Sequence, residues 1–507
     1  MPAGDSLVRG DAGARFDLPA LVVCGAAALL AGGVYLNALH NPFVYDDYHT
    51  VVANTSIQRV TNVRAIVLHD ITRPIVNVSY AVDRAVWGPR PLGFHVTNVL
   101  LHMLNVVLLF RLAWRLAEHR ARQPLVMAGA AAALFAAHPM MSEAVGYISG
   151  RSEVLCTTWF LLALLSGRRW ILGGGTWWAA LTVGLWCAAL ATKETAAMFP
   201  FVFLACDWIA MGSAPERQRR FMRLHLPLMA VAVAAGIVRL IVLRFEYPGS
   251  VAIHWRYVLL EFDVLRRYVW LLVRPVGQSL FHEVTPVNGL FEARALFAIA
   301  AAALMVAVAW KLRRAGQIAS FGIAWFLLAL VPSAALAVLD QGEPMAEHRV
   351  YLASCGLFLA AGAGVGRLDA WLAGASNRTR WVAGAAMALV VVSFSAQTML
   401  RNAVWADPVA LWQESVDLAP AHYRPRLLLG EALKDAGRRE EAIEQYKTAI
   451  NLRPAELDGY LKLGVCLAEM GRIEEARQSF RQAMVIDPKN EPARRALTLL
   501  EKIGPTS

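Results

Sequence analysis

Runs of about twenty apolar residues, separated by clusters of arginine, constrain this chain more than anything else in it. A helix needs roughly 20 apolar residues to cross the hydrocarbon core of a bilayer. Such runs are read at 18–38, 96–114, 125–141, 153–167, 170–190, 195–211, 225–243, 293–310, 318–337, 349–367 and 381–400. They leave the chain 57% hydrophobic and 17% charged over 507 residues, where ordinary globular chains carry roughly 25% charge. A disordered protein, a secreted disulfide scaffold and an average cytosolic enzyme are thereby excluded. The expectation is an all-α, polytopic membrane protein with some soluble mass attached. The first run follows Asp5, Arg9, Asp11, Arg15 and Asp17 without a convincing small-residue cleavage site, which predicts a retained anchor rather than a signal peptide.

The net charge of +11 does not call for nucleic acid, and none is expected as a partner. Lysine stands only at Lys193, Lys311, Lys434, Lys447, Lys462, Lys489 and Lys502, so 49 − 7 = 42 of the basic residues are Arg. Many flank the apolar runs, where basic residues orient helices toward the cytoplasm. With a cytoplasmic N-terminus, Arg115, Arg120 and Arg122, Arg168 and Arg169, Arg217 to Arg223, Lys311 to Arg314, and Arg378 and Arg380 all fall inside, provided 257–283 lies on the outer surface as an amphipathic helix. Eleven spans with the C-terminus outside satisfy the rule. The loops 41–90, 142–152, 193–194, 245–287 and 340–349 then share the outer face. The six cysteines show no ligand spacing and read as small buried hydrophobes.

Past Arg401 the chain turns polar and periodic. Pro420, Pro454 and Pro488 are 34 residues apart, as are Gly430 and Gly464, Gly437 and Gly471, Ala442 and Ala476, and Ala449 and Ala483; Tyr446 matches Phe480 and Trp412. This is the tetratricopeptide period, in which small residues let two helices approach and Pro ends the second. Two full repeats are expected at about 421–454 and 455–488, with a half repeat at 403–419 and a capping helix at 492–503. The division is a membrane domain over 1–401 and a repeat domain over 402–507. Such arrays bind polypeptides in their groove; a spacer role is the alternative.

The outer loops hold the candidates for chemistry. Two adjacent acids, Asp46 and Asp47, follow the first span, and acids at a membrane edge are functional by default. Their proximity raises one pKa, which suits a general base or a metal ligand; a solvated helix cap is the equal alternative. His138-Pro-Met-Met-Ser-Glu143 ends the third span, ahead of Gly150-Arg151. His138 and Glu143 reach one metal only if the proline bends the segment suitably, and no metal or other cofactor is predicted. Arg73-Pro74 and Pro91-Leu-Gly-Phe-His95 stand at the mouth of the second span, while Asn98, His102 and Asn105 read as helix-to-helix hydrogen bonds. Lys193-Glu194 reads equally as a plain ion pair. Glu347-His348-Arg349 opens the tenth span, and arginine there suits a phosphate, which it grips at two points.

Tyr45-Asp46-Asp47-Tyr48-His49 resembles the acidic signature of the GT-C glycosyltransferases, whose donors are lipid-linked sugars. Arg73-Pro74, Pro91-x-x-Phe-His95-x-x-Asn98-x-x-x-His102, His138-Pro-x-x-x-Glu143, Gly150-Arg151, Lys193-Glu194 and Glu347-x-Arg349-x-Tyr351-Leu-x-Ser354 extend the likeness. With the repeats, the set resembles the transmembrane and tetratricopeptide-repeat-containing proteins and their bacterial relatives, over about 41–488. The resemblance implies a GT-C bundle carrying a tetratricopeptide solenoid. It implies transfer of a sugar, mannose in that family, from a dolichyl or other polyprenyl phosphate to Ser/Thr hydroxyls of exported proteins. Asp46 or Asp47 is then the general base. Arg349, with Arg151, Arg73 or Lys193, binds the donor phosphate, and His138, Glu143, Glu194, Glu347 and His95 support them. The protein acceptor would be held by the repeat groove. The array is shorter than the family's, and the Arg-rich, Lys-poor composition looks bacterial. The expected location is therefore an inner membrane with site and repeats in the periplasm, or an endoplasmic-reticulum membrane with lumenal repeats. A glycolipid-directed transferase and a non-enzymatic scaffold displaying the repeats are the rival readings; a transporter finds no internal repeat among the spans.

Overall fold

The computed structural model describes residues 17–118, 121–211, 217–246, 255–338 and 343–502. Asp5, Arg9, Asp11, Arg15 and Arg120, and parts of the expected outer loops at 247–254 and 339–342, lie outside the described residues. Among the described residues every regular element is a helix. The chain divides into two compact units, Met1–Gln278 with Thr285–Ala403, and Ser279–Val284 with Val404–Ser507.

In the first unit eight helices are long and apolar enough to cross a membrane: Leu18–Ala38, Pro91–Ala117, Ile148–Ile171, Arg217–Val238, Ala293–Ala315, Gln317–Ala334, Glu347–Leu372 and Asn377–Val404. The chain is an integral membrane protein. The remaining three of the eleven expected runs take other forms. The run at 125–141 becomes Pro124–Ala137 and Pro139–Gly146, bent by 57°, because Pro139 cannot continue the ladder of amide donors. The run at 170–190 gives only the 14-residue helix Trp177–Leu190. The run at 195–211 is split into a 3-10 turn (Glu194–Met198), a short α-helix (Phe199–Ala205) and a π turn (Cys206–Ala210). Trp255–Val273 is amphipathic and is not among the spans.

Small residues set the closest helix contacts. A Cβ on Gly322 would strike the Gly356 carbonyl, and one on Gly362 would strike that of Met127, so the helices Gln317–Val338, Tyr351–Leu372 and Pro124–Ala137 approach backbone to backbone. Polar side chains tie other helices together. Asn105 Nδ2 donates to Val154 O at 2.8 Å, Thr158 Oγ1 donates to Asn105 Oδ1 at 2.8 Å, and His102 Nδ1 lies 2.7 Å from the Tyr351 hydroxyl.

The second unit stacks the helices Tyr423–Asp435, Arg439–Leu452, Leu457–Glu469 and Ile473–Ile486, with Glu491–Lys502 covering the end. The Tyr446 ring fills the space over Gly430, and Phe480 that over Gly464. Gly437 and Gly471 turn each pair at φ +81° and +75°, a region that a Cβ disfavours. One component was invisible in the period: Ser279–Val284 belongs to this unit. Phe281 is buried against Trp412 and His422, with ring centroids at 6.2 and 5.4 Å. The half repeat, represented by Pro408–Leu418, is thus completed by a segment from far earlier in the chain.

Candidate active site

The two acids of the first loop are sent in opposite directions by the backbone. Tyr45 has φ +50° and is the only non-glycine among the described residues with positive φ, a strain of order 1–3 kcal/mol that folds tend to hold at functional positions. Beyond it Asp47 turns inward and is fully buried. Its Oδ2 accepts the Val44 N–H at 3.1 Å, and its Oδ1 accepts the Ser149 N–H at 2.8 Å and the Ser149 hydroxyl at 2.6 Å. Burial pushes its carboxyl up to about 7 against the pull of those bonds, and the Asp46 charge adds only a small part. Desolvation, and not like-charge proximity, dominates. Asp46 instead is exposed, and its own N–H donates to the Tyr147 hydroxyl at 2.9 Å. Burial of its surroundings raises its carboxyl, opposed by Tyr147, His348, His49 and Arg73. Of the two acids, Asp46 is the one open to solvent.

The basic candidates separate as clearly. Arg151 is completely enclosed and ion-paired with Asp83. Its Nε donates to Asn98 Oδ1 and its Nη2 to Phe94 O, each at 2.7 Å, and the guanidinium lies 4.7 Å from the Tyr80 ring centroid. No face is left for a phosphate, so the expected donor contact of Arg151 is replaced by a bracing role. Lys193 is also buried, with Nζ 2.8 Å from Glu153 Oε1 and 3.4 Å from Ser152 Oγ; its expected phosphate contact gives way to a pairing inside the bundle. Nor does Lys193 pair with its neighbour. Glu194 accepts Arg73 Nη2 on both oxygens at 3.2 Å. Burial opposes the Glu194 charge, but Arg73 and Lys193 hold its carboxyl at about 2. Burial likewise opposes the Arg73 charge, and Glu194, Asp70 and Glu153 outweigh it. Arg73 is the partly exposed cation beside Asp46.

His95 and His138 are framework residues. The buried His95 Nε2–H donates to Asn41 O at 3.1 Å and fixes the start of the acidic loop. His138 Nε2–H donates to Leu272 O at 2.9 Å, and its Nδ1 accepts the Met140 N–H at 3.2 Å, at the bend. Glu143 faces a different partner. Its Oε1 lies 2.5 Å from His348 Nδ1, and its Oε2 accepts the His348 N–H at 3.2 Å. Glu347 is buried and accepts Gln278 Nε2 at 3.1 Å. Among the described residues no group of three His, Cys, Asp or Glu side chains gathers as a metal site.

Arg349 Nη1 donates to Glu343 O at 2.6 Å, and its charge is felt by Glu261 and Tyr268. Those two line a cavity of about 500 Å³ between Trp255–Val273 and Gln317–Val338, apolar apart from them and Ser333, with Phe262, Leu265, Leu330 and Val331 in its wall.

A tetratricopeptide repeat family model matches residues 427–491. The chain is 25% identical over 510 residues to protein O-mannosyl-transferase TMTC1 of Homo sapiens, covering 85% of this chain and 55% of that protein. It is 26% identical to protein O-mannosyl-transferase Tmtc1 of Drosophila melanogaster, covering 84% and 60%. The chain is a homologue of these transferases. It spans little more than half the length of either relative. Among solved structures it resembles ArnT from Cupriavidus metallidurans bound to undecaprenyl phosphate, with TM-score 0.38 and 14% identity over 91% of this chain and 79% of that one.

In this homologue an exposed carboxylate, Asp46, lies within the fields of an arginine, Arg73, and two imidazoles, His49 and His348. The arrangement can take a proton from a weak acid and stabilise nearby negative charge. His348 and Glu261 were not foreseen from sequence as functional. His348 stood inside the Glu347-His348-Arg349 segment but gave no periodic or spacing signal; its link to Glu143 crosses 205 positions. Glu261 was read as the polar side of a surface helix.

Proposed function

We propose that this protein is a membrane glycosyltransferase that moves a sugar, mannose by analogy with its named homologues, from a polyprenyl-phosphate donor to a Ser/Thr hydroxyl of a protein. The observation that carries the reading is the exposed Asp46 carboxylate, set by the strained Tyr45 turn among Arg73, His49 and His348. Asp46 takes the hydroxyl proton as general base. The hydroxyl oxygen attacks the anomeric carbon as the bond from that carbon to the phosphate oxygen breaks, so the configuration inverts. The phosphate oxygen keeps the bond's electron pair, and Arg349 balances its charge. The largely apolar cavity lined by Glu261, whose carboxyl feels the Arg349 charge, suits the first isoprenoid units of the lipid. Asp47 holds the loop to Ser149, and Glu143 holds His348. The acceptor protein is bound by the tetratricopeptide groove, which raises its local concentration. The site and the repeats face the periplasm or its equivalent, the lumen.

The deciding experiment adds a radiolabelled polyprenyl-phosphate sugar to membranes containing the full chain or Arg349→Ala, then identifies products by mass spectrometry. Label in O-linked peptides from wild type, with donor KM raised at least tenfold in Arg349→Ala, is expected. Arg349→Lys recovers only part, because an ammonium lacks the planar two-point grip. Label only in glycolipid would overturn the protein acceptor, and no label in either would overturn the transferase reading.

A further inference from the structure

The helix Trp255–Val273 buries Leu259, Leu260, Val264, Tyr268, Leu271 and Leu272, and its two acids meet different fates. Asp263 is buried but neutralised by Arg266 and Arg267 at 2.8 and 2.9 Å. Glu261 lines the apolar cavity beside Phe262, Leu265, Leu330 and Val331. Its Oε1 is shielded from solvent with no hydrogen-bond partner, and no ion pair reaches it among the described residues. An ionised carboxylate is costly in such a place, so an acid there holds its proton. The charges around it are few. Arg349 acts on it from the Glu347–Val350 turn, and Tyr268 beside it feels Arg349, Glu261 and Glu143. The Tyr268 hydroxyl is occupied, donating to Ala346 O at 2.8 Å. Gln317–Val338 brings no ionisable residue, and Ala293–Ala315 packs on the helix with Ala295 and Ile299 at Leu259 and with Phe297 under Arg266. Burial pushes the Glu261 carboxyl up to about 8, with Arg349 pulling the other way. Arg349 spends Nη1 on Glu343 O, which leaves Nε and Nη2 without a protein acceptor among the described residues.

We propose that Glu261 is a second phosphate-binding residue, whose carboxylic acid donates a hydrogen bond to the phosphate of a lipid-linked donor held by Arg349. The proposal rests on the donor reading of Arg349 and adds a proton to it. An acid that keeps its hydrogen satisfies a phosphate oxygen without adding negative charge, whereas the same group ionised repels the phosphate. The apolar wall takes the lipid chain, and the Arg349–Glu261 end takes the head. Donor affinity is therefore lost as Glu261 ionises.

The full chain in lipid nanodiscs is titrated with undecaprenyl phosphate at about pH 7.5 and about pH 9.5. A phosphomonoester has its second pKa near ~6, so the ligand is a dianion throughout. Wild type should bind at least tenfold more weakly at the higher pH. Glu261→Gln, whose amide donates without ionising, should bind within about threefold of wild type at the lower pH and show no loss at the higher. A flat wild-type profile, or a Glu261→Gln profile as steep as wild type, overturns the proposal; the wild-type slope alone decides if the variant does not fold. Arg349→Ala separates the two readings. Weak binding by Arg349→Ala alongside an unchanged slope in Glu261→Gln removes only the role of Glu261. Wild-type binding by Arg349→Ala removes the phosphate site altogether. Inorganic phosphate is titrated in parallel: binding with the same slope supports a site that reads the head alone, and binding of the lipid only supports a site that needs the chain.

Discussion

Asp46→Asn and Asp47→Asn should fail in different ways, although the residues are adjacent and chemically alike. Asp46 is exposed; its backbone N–H donates to the Tyr147 hydroxyl, and its carboxyl also feels that hydroxyl, which an asparagine oxygen can still meet. The amide should therefore change stability by no more than about 0.5 kcal/mol, as surface substitutions generally do. Loss of a general base costs ~10²–10⁴ in rate, about 3 to 5 kcal/mol in the barrier at roughly 1.36 kcal/mol per decade. Asp47 accepts three donors, the Val44 N–H, the Ser149 N–H and the Ser149 hydroxyl. Asparagine offers one accepting oxygen and turns an NH₂ group toward a donor. At least one buried N–H then goes unsatisfied, at about 1–3 kcal/mol. The assay pairs transfer of labelled sugar in membranes with thermal unfolding of the purified chain. Asp46→Asn should unfold like wild type and transfer at least a hundredfold more slowly; Asp47→Asn should unfold several degrees lower and lose transfer in proportion to folded protein. Because the Asp46 carboxyl is raised, the acid limb of wild-type transfer should lie above the ordinary carboxylate range. Wild-type transfer by Asp46→Asn, with the acid limb intact, would refute the assignment of the base.

Other outcomes follow from buried charge and packing. Asp83→Asn leaves the enclosed Arg151 guanidinium without its counter-ion and should destabilise the first unit by about 3–5 kcal/mol, read as a lowered unfolding midpoint. The Asp47 carboxyl moves from 3.8 up to about 7 on folding, so the native chain binds a proton that the unfolded chain has released. Its contribution to stability should fall as pH rises from about 4 to 7, by at most about 1.4 kcal/mol per pH unit, and Asp47→Asn should remove that slope in pH-dependent unfolding. Phe281→Ala opens space between Trp412 and His422 and should cost the second unit about 3–5 kcal/mol, seen as faster amide exchange in Pro408–Leu418.

The features legible in the sequence are those with a period or a length. Hydropathy marks Pro91–Ala117 and Asn377–Val404 because a span imposes its length on the chain, and Gly430 and Gly464 recur because each lies under an aromatic ring of its own repeat. Hydropathy misses the break at 138–139 and the splitting of the run at 195–211 into Phe199–Ala205 and the π turn Cys206–Ala210, because an apolar run reads the same whether its backbone is continuous or turned. It also misses Ser279–Val284 as part of the repeat unit, since Phe281 sits outside the period and joins Trp412 only in space.

The site was legible as a set of residue types and not as a set of roles. Whether an arginine grips a phosphate or a protein carboxylate depends on what lies within about 3 Å of it, and no spacing carries that. Arg151 is matched to Asp83, 68 positions earlier, and Lys193 to Glu153 rather than to the adjacent Glu194. Buried charges are retained when paired, so the cations that fold the bundle are the enclosed ones, and those left to meet a ligand are partly open: Arg73 and Arg349. The same sorting divides the acids. Asp47 is spent on Val44 and Ser149 and Glu143 on His348, whereas Asp46 is exposed beside Tyr147 and Glu261 Oε1 has no hydrogen-bond partner among the described residues. The two differ in setting, Asp46 being exposed and Glu261 Oε1 shielded, which is why the proposed roles differ: a base open to the acceptor at Asp46, and a proton held for the donor at Glu261.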